Sequence, residues 1–231
     1  MTDNHNQPDF ANAALLSIDV QRDVLTGGPL DFASPELLLP NMARVVDAFR
    51  AANRPIVHVV RLYLRDGRNA ELCRQASLAS GGGALVVGTP GSALIPDLVP
   101  DSGVDLDADR LLAGRFQYLS SKEAAMYKPR CGAFFRTQLL AHLWIRNVTT
   151  VVVIGCNFPN CPRATIVEAS ERDLRVVAVP DALSRFSDRD TTDLRDMGVA
   201  VMTSAEIADS VVAVPHAMTT RAHEVPGTSH V

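Results

Sequence analysis

The segment from Thr149 to Asp173 has the pattern of a strand, a turn and a helix, and it constrains the fold more than any other part. Residues 151–154 are β-branched throughout, as in a strand buried on both faces of a parallel sheet. Gly155 interrupts this run, and Cys161 stands directly before Pro162. Proline is favoured in the first turn of a helix, so we predict that Cys161 lies where a sheet strand passes into a helix.

A cysteine at that place is suited to nucleophilic catalysis. The dipole and the free N–H groups of a helix N-terminus favour a thiolate, which is the nucleophilic form of cysteine. Cys161 therefore has the setting of a nucleophile between a strand and a helix. The other three cysteines, at 73, 131 and 156, have no such context and are interpreted as small apolar residues.

Short apolar runs alternate with helix-spaced segments along most of the chain. Strands are predicted at residues 13–19, 55–60, 122–127, 149–154, 175–179 and 199–202, and helices at 40–52, 70–79, 92–98, 136–146, 163–173, 192–197 and 204–211. Such alternation is typical of a three-layer α/β/α fold with a mostly parallel sheet, here of five to six strands and Rossmann-like. We expect one domain over residues 13–213, a flexible N-terminal tail at 1–12 and a C-terminal tail at 214–231.

The composition excludes several classes of protein. With 231 residues, 47% of them hydrophobic, the chain can bury the core of one α/β domain. Its net charge of −4 and scattered basic residues predict no nucleic-acid or membrane partner. No phosphate-binding glycine motif, signal-peptide pattern or membrane-length apolar run stands out. Four cysteines in a chain of this length predict reduced thiols and a cytoplasmic location.

Three reactive side chains follow three predicted strands. Asp19 ends the first strand, Lys128 follows the third and Cys161 follows the fourth. The carboxyl ends of parallel strands share one edge of a sheet, where ligands bind, so these side chains can converge. Asp19 would then exchange a proton with the thiol, and Lys128 would stabilise the charges. Two alternatives stay open: Asp23 could take the role of Asp19, and Lys128 could be an ordinary surface lysine.

Four segments resemble the isochorismatase-like cysteine hydrolase family, in order and at the family's spacing across residues 13–211. They are Leu16-Ser-Ile-Asp-Val-Gln-Arg-Asp-Val24, Gly88-Thr-Pro-Gly-Ser-Ala-Leu-Ile-Pro-Asp-Leu98, Tyr127-Lys-Pro-Arg-Cys-Gly-Ala-Phe-Phe-Arg-Thr-Gln-Leu139, and the loop and helix from Gly155 to Asp173. The resemblance implies that Asp19, Lys128 and Cys161 are the catalytic triad. It also implies a cis peptide bond between Cys156 and Asn157, with the N–H groups of Asn157 and Cys161 as oxyanion donors.

The resemblance further implies hydrolysis of a C–N bond in a small amide, carbamoyl or lactam compound through a thioester, in a homodimer or homotetramer. Isochorismatases proper cleave a vinyl ether and can dispense with the cysteine, so that activity is an alternative. A catalytically silent α/β scaffold that binds a small molecule or a protein is another. A thiol redox sensor built on Cys156 and Cys161 is a third.

The chain also departs from the family's pattern. Phe158 replaces a threonine of the nucleophile loop, which predicts a narrower and more apolar pocket with Phe134 and Phe158 in its wall. The Asp-x-His metal motif of nicotinamidases is missing after the second strand, so we expect no metal and no cofactor. Gln21, Arg61 and Tyr63 are further candidates for substrate binding. His58 lies inside a strand and is interpreted as a packed core histidine.

Overall fold

The apolar runs form the central strands of a seven-stranded sheet in the computed structural model, which describes residues 5–24, 37–80, 83–101 and 103–213. The strands are β1 Ala13–Ile18, β2 Ile56–Val60, β3 Gln117–Tyr118, β4 Glu123–Tyr127, β5 Thr150–Gly155, β6 Arg175–Leu183 and β7 Ala200–Val201. Their order is β3-β4-β2-β1-β5-β6-β7, and every neighbouring pair is parallel except β3 with β4. The mostly parallel α/β fold is confirmed.

The predicted number of five to six strands is too low. The additional strand, β3, consists of two residues at the edge of the sheet, with Gln117 partly buried and Tyr118 exposed. So short a strand has no alternation of polar and apolar residues to reveal it. Pairing with β4, rather than any local pattern, gives these residues their extended conformation.

Helices cover both faces of the sheet. They are α1 Leu39–Ala51, α2 Leu72–Ala79, α3 Ala108–Leu112, α4 Leu139–Trp144, α5 Cys161–Ser170, α6 Asp188–Asp196 and α7 Ser204–Ala213. Buried side chains of α1 and α7 pack with one face of β1, β5 and β6, and those of α4, α5 and α6 pack with the other face. Apolar surface is thereby removed from water on both sides of the central strands, which explains why their sequences are apolar with little alternation.

Several predicted helix bounds are wrong for local reasons. The segment 92–98 forms only short 3-10 turns, Pro90–Ser92 and Pro96–Leu98. Arg136 has a φ of +53°, so the helix predicted from that residue begins at Leu139 instead. Helix α6 begins earlier than predicted because Ser187 and Asp190 form a reciprocal capping box over its polar first turn.

Part of the predicted N-terminal tail contacts the sheet. Asp9 donates its backbone N–H to Thr150 Oγ1 at 2.9 Å and accepts a hydrogen bond from Ala11 at 3.1 Å. Phe10 begins a 3-10 turn and packs against the core on the α1 side. Residues 1–4 and the whole predicted C-terminal tail, 214–231, lie outside the described residues.

Candidate active site

The sheet brings the three predicted reactive residues to one edge. Asp19 directly follows β1, Lys128 follows β4, and Cys161 is reached through a turn after β5. In the order β4-β2-β1-β5 these strands are close neighbours and parallel, so their carboxyl ends lie together. Hydrogen bonds to β2 hold two of the positions: Asp19 donates its N–H to Val59, and Lys128 to Val60, at 2.9 and 3.1 Å.

Asp19 and Lys128 form a buried ion pair. Lys128 Nζ lies 2.9 Å from Asp19 Oδ2, and the lysine side chain is fully buried. Burial lowers the pKa of Lys128, but the carboxylate of Asp19 raises it by more, so the lysine pKa lies above its usual value. Asp19 Oδ1 has no hydrogen-bond partner among the described residues. Lys128 is therefore not a surface lysine, and one oxygen of Asp19 stays available as a proton acceptor.

Asp23, the alternative to Asp19, has a structural contact of its own. Its Oδ2 accepts a hydrogen bond from the backbone N–H of Leu85 at 2.6 Å. Gly91 packs directly against the same carboxylate, since a Cβ added there would stand 1.8 Å from Asp23 Oδ1. Asp23 thus joins the Gly-Thr-Pro-Gly segment to the end of β1, and the position beside Lys128 belongs to Asp19.

The turn before Cys161 depends on a glycine. Gly155 has a φ of +127°, and a Cβ at this position would lie 2.2 Å from the carbonyl oxygen of Ile18. No other residue fits so close to β1 in that conformation. The Cys156–Asn157 peptide bond that follows is cis. Helix α5 then begins with Cys161 itself, so that Pro162 is its second residue rather than its first.

Two backbone N–H groups in this turn are unused. Phe158 N–H donates to the carbonyl of Ser184, just after β6, at 2.9 Å, and Asn160 N–H donates to the carbonyl of Asn157 at 3.1 Å. The N–H groups of Asn157 and Cys161 donate to no acceptor that the described part of the chain supplies. These are the two groups for which the resemblance implies an oxyanion-binding role.

Cys131, interpreted from sequence as an apolar packing residue, is a neighbour of Cys161. Its loop is attached to α5, because Ala133 N–H donates to Thr165 Oγ1 at 3.2 Å and Thr165 donates to the Cys161 carbonyl at 2.8 Å. Phe134 N–H also donates to a carboxylate oxygen of α5 at 2.8 Å. No sequence motif indicated this contact, since the two cysteines are 30 positions apart.

The two thiols influence each other's ionisation. The interaction with Cys161 lowers the pKa of Cys131 to about 6. Burial of Cys131 opposes this shift, and the positive charge of Lys128 adds to it. The same interaction, burial and the Asp19 carboxylate raise the pKa of Cys161, although Lys128 opposes them. The helix position alone predicted a thiolate at Cys161. Its neighbours instead favour a protonated thiol that transfers its proton when it reacts.

Replacing Cys131 by alanine is expected to shift the iodoacetamide reaction of Cys161 to lower pH, because the main cause of its raised pKa is removed. In the wild type, Cys131 itself should react at a lower pH than an ordinary thiol. Peptide mapping by mass spectrometry measures both rates, and Cys73→Ala on the exposed face of α2 is the control. A Cys161 profile unchanged by Cys131→Ala would contradict the coupling.

A small cleft opens in front of Asp19 and Cys161. Of the predicted substrate-binding residues, Arg61 and Tyr63 line it. They are joined there by Glu71 and Arg74 from the start of α2, which no sequence pattern indicated. Arg61 Nη2 lies 2.9 Å from Glu71 Oε1, and Tyr63 donates its hydroxyl to Glu71 Oε2 at 2.9 Å. Charged side chains thus line the cleft together with the apolar Val24 and Leu85.

The other three predicted substrate-binding residues do not line the cleft. Gln21 is fully buried and bonds to the backbone N–H and carbonyl of Arg61 and to the carbonyl of Ser92, so that its amide joins two loops. Phe134 and Phe158 are both buried in the core cluster on the α5 side of the sheet. Burying aromatic surface in that core explains their positions better than contact with a ligand does.

No group of three or more His, Cys, Asp and Glu side chains in the described ranges is arranged to hold a metal ion. His58 is a core residue as predicted, since it is buried with Nε2 2.8 Å from Glu123 Oε1. Within the same ranges, no helix is both long and apolar enough to cross a membrane.

A cysteine that starts a helix after a sheet strand, beside a buried Asp–Lys pair in a cleft, is the arrangement of an α/β cysteine hydrolase. The Isochorismatase domain matches residues 13–206, and the chain therefore belongs to the isochorismatase family. This confirms the resemblance seen in the sequence.

Three related proteins illustrate the family. An isochorismatase family protein from Desulfovibrio vulgaris is 32% identical, with a TM-score of 0.74 over 88% of this chain and 99% of that one. A probable inactive nicotinamidase of Arabidopsis thaliana is 29% identical over 87% of this chain and 97% of its own length. N-carbamoylsarcosine amidase from Thermoplasma acidophilum is 22% identical, with a TM-score of 0.65 over 84% and 96%, and shares the fold.

Proposed function

We propose that this isochorismatase-family hydrolase cleaves the C–N bond of a small amide, carbamoyl or lactam compound through a thioester on Cys161. The observation that carries the proposal is the buried Asp19–Lys128 pair, 2.9 Å between charged atoms, next to a cysteine at the start of a helix. A buried ion pair is expensive to desolvate, so its position beside a nucleophile in a cleft favours a catalytic role over a purely structural one.

In the proposed acylation, Asp19 accepts the proton of Cys161 as Sγ attacks the substrate carbonyl carbon. The oxyanion that forms accepts hydrogen bonds from the unused N–H groups of Asn157 and Cys161. When the C–N bond breaks, Asp19 gives the proton to the leaving nitrogen. The products of this half-reaction are a thioester and a free amine or ammonia.

Deacylation reuses the same groups. Asp19 accepts a proton from a water molecule, whose oxygen attacks the thioester carbonyl and forms a second oxyanion at the same N–H groups. Collapse of this intermediate breaks the C–S bond, and the proton on Asp19 returns to the sulfur. Lys128 keeps Asp19 in place, and its positive charge favours the ionised form of the carboxylate at both stages.

The test is a panel of primary amides, N-carbamoyl compounds and lactams, with ammonia or amine release as the readout. Acid quenching during turnover, followed by peptide mapping, should find the acyl group on the peptide that contains Cys161. Release of enolpyruvate from a vinyl ether without an acyl-enzyme would favour the isochorismatase activity instead. No turnover and no acylation across the panel would favour the catalytically silent scaffold. The Arabidopsis relative, which is called a probable inactive nicotinamidase, is a reason to test this alternative.

We further propose a cytoplasmic location, which the four free thiols support. Assembly as a homodimer or homotetramer stays a prediction, which light scattering on the purified protein can test.

A further inference from the structure

The charged groups around the cleft form two ion pairs that cancel. Lys128 and Asp19 are one pair, and Arg61 and Glu71 are the other, each with 2.9 Å between charged atoms. The second pair is held firmly, because Tyr63 also donates its hydroxyl to Glu71 and Arg61 Nη1 donates to the Lys128 carbonyl. The Arg61 guanidinium thus already has a carboxylate partner, and its side chain is almost fully buried.

Arg74 is a second arginine in the same cleft, and it forms no ion pair with any residue that the structure describes. It lies in the first turn of α2, is partly buried and lines the cleft together with Cys161. Among the described residues, no carboxylate lies within 4.0 Å of its guanidinium and no acceptor takes a hydrogen bond from it. Arg74 therefore adds to the cleft a positive charge that no ion pair within the described ranges neutralises, although Glu71 and the Cys131 thiolate act on it without direct contact.

Arg74 and the reacting cysteine line the same small cleft. Burial lowers the pKa of Arg74, but the groups of Tyr63, Cys161, Glu71 and Cys131 raise it by more, so its pKa lies above the usual value. A guanidinium is planar and presents paired N–H donors that match the two oxygens of a carboxylate. Partial burial reduces solvent screening and strengthens such a contact.

We propose that Arg74 binds a carboxylate of the substrate, so that the natural substrate is an acid whose amide, carbamoyl or lactam group is cleaved a few atoms from that carboxylate. This inference rests on the proposed function for the position of the cleaved bond. Its test does not require turnover, because the rate at which Cys161 is alkylated by an anionic reagent can report on anion binding in the cleft.

The test compares alkylation of Cys161 by iodoacetate, which is anionic, with alkylation by iodoacetamide, which is neutral and of similar size. The iodoacetate rate is divided by the iodoacetamide rate, and this ratio is divided by the same ratio measured for glutathione. Both reagents react with the thiolate, so a change in the thiolate fraction of Cys161 cancels. We expect the wild-type ratio to favour iodoacetate and to fall about tenfold or more in Arg74→Gln, in proportion to a lost charged hydrogen bond. Arg74→Lys should retain part of the preference, which separates loss of charge from loss of fold.

Arg68→Gln is the matched control, since it removes one positive charge from an exposed arginine six positions away that pairs with Asp66. Its ratio should equal that of the wild type. A ratio unchanged in Arg74→Gln would overturn the carboxylate site, and an equal slowing of both reagents would assign Arg74 to the thiolate instead.

If Cys161 reacts with neither reagent, the proposed function fails, and the carboxylate site is decided by equilibrium binding. Calorimetry would then compare half-amides of three- to six-carbon dicarboxylic acids with their methyl esters. Tighter binding of an acid than of its ester, lost in Arg74→Gln, supports the site. Equal or undetectable binding of both forms overturns it.

Discussion

Replacing Cys161 by alanine is expected to lower kcat/KM for any amide that the protein hydrolyses by about 10³-fold or more, equivalent to about 4 kcal/mol of transition-state stabilisation. Without the sulfur no thioester can form, and the unused N–H groups of the turn can only polarise the carbonyl for slow attack by water. The acyl adduct on this peptide should disappear with the activity. Ammonia release and the mass of acid-quenched protein measure the two effects.

The same substitution should leave the protein folded. Cys161 is 8% exposed, and its replacement by alanine removes one buried atom at the beginning of α5, a loss on the order of 1 kcal/mol. Cys73→Ala, at an exposed thiol, is the control and should keep wild-type activity. A Cys161→Ala protein that hydrolyses amides at the wild-type rate would end the thioester mechanism.

Replacing Lys128 by methionine is expected to abolish activity and also to reduce the free energy of unfolding by about 3–5 kcal/mol, because the substitution leaves Asp19 buried without its counterion. Denaturant titration and the amide assay measure the two losses. Lys122→Met is a natural control, since Lys122 is the only other lysine and lies just before β4, whereas Lys128 lies just after it.

The double variant Asp19→Asn with Lys128→Met separates stability from catalysis. Removing both charges should restore part of the lost stability without restoring activity, because the proton acceptor is then missing as well. If Lys128→Met alone were as stable as the wild type, the ion pair would not be buried as described.

The pH dependence of this effect follows from the raised pKa of Lys128. A cation whose pKa is higher in the folded than in the unfolded chain contributes its full stability below the unfolded value, about 10.4. That contribution is lost only as the pH rises through the folded value. The stability difference between the wild type and Lys128→Met should therefore be the same at pH 6 and pH 8, whereas a difference that falls over this range would contradict the raised pKa.

The sequence by itself determined the sheet and the positions of the three reactive residues. The largely apolar segments of β1, β2 and β5 favour burial on both faces of a parallel sheet. Parallel strands end at a common edge of the sheet. Residues that directly follow neighbouring strands therefore lie near one another, independently of the segments that connect the strands. The sequence also showed that Gly155 interrupts the last of these segments, and the structure supplies the reason, since only glycine fits against β1 at a φ of +127°.

Only the tertiary structure decided what surrounds Cys161. Arg74 and Cys131 come from α2 and from the loop after β4, and no local pattern relates either of them to the thiol. The same holds for Phe134 and Phe158. Their apolar character suits a pocket wall and a core equally, and only the structure shows that both are buried in the core cluster on the α5 side of the sheet. The ionisation of Cys161 likewise depends on contacts between distant residues, because charge and burial act through space rather than along the chain.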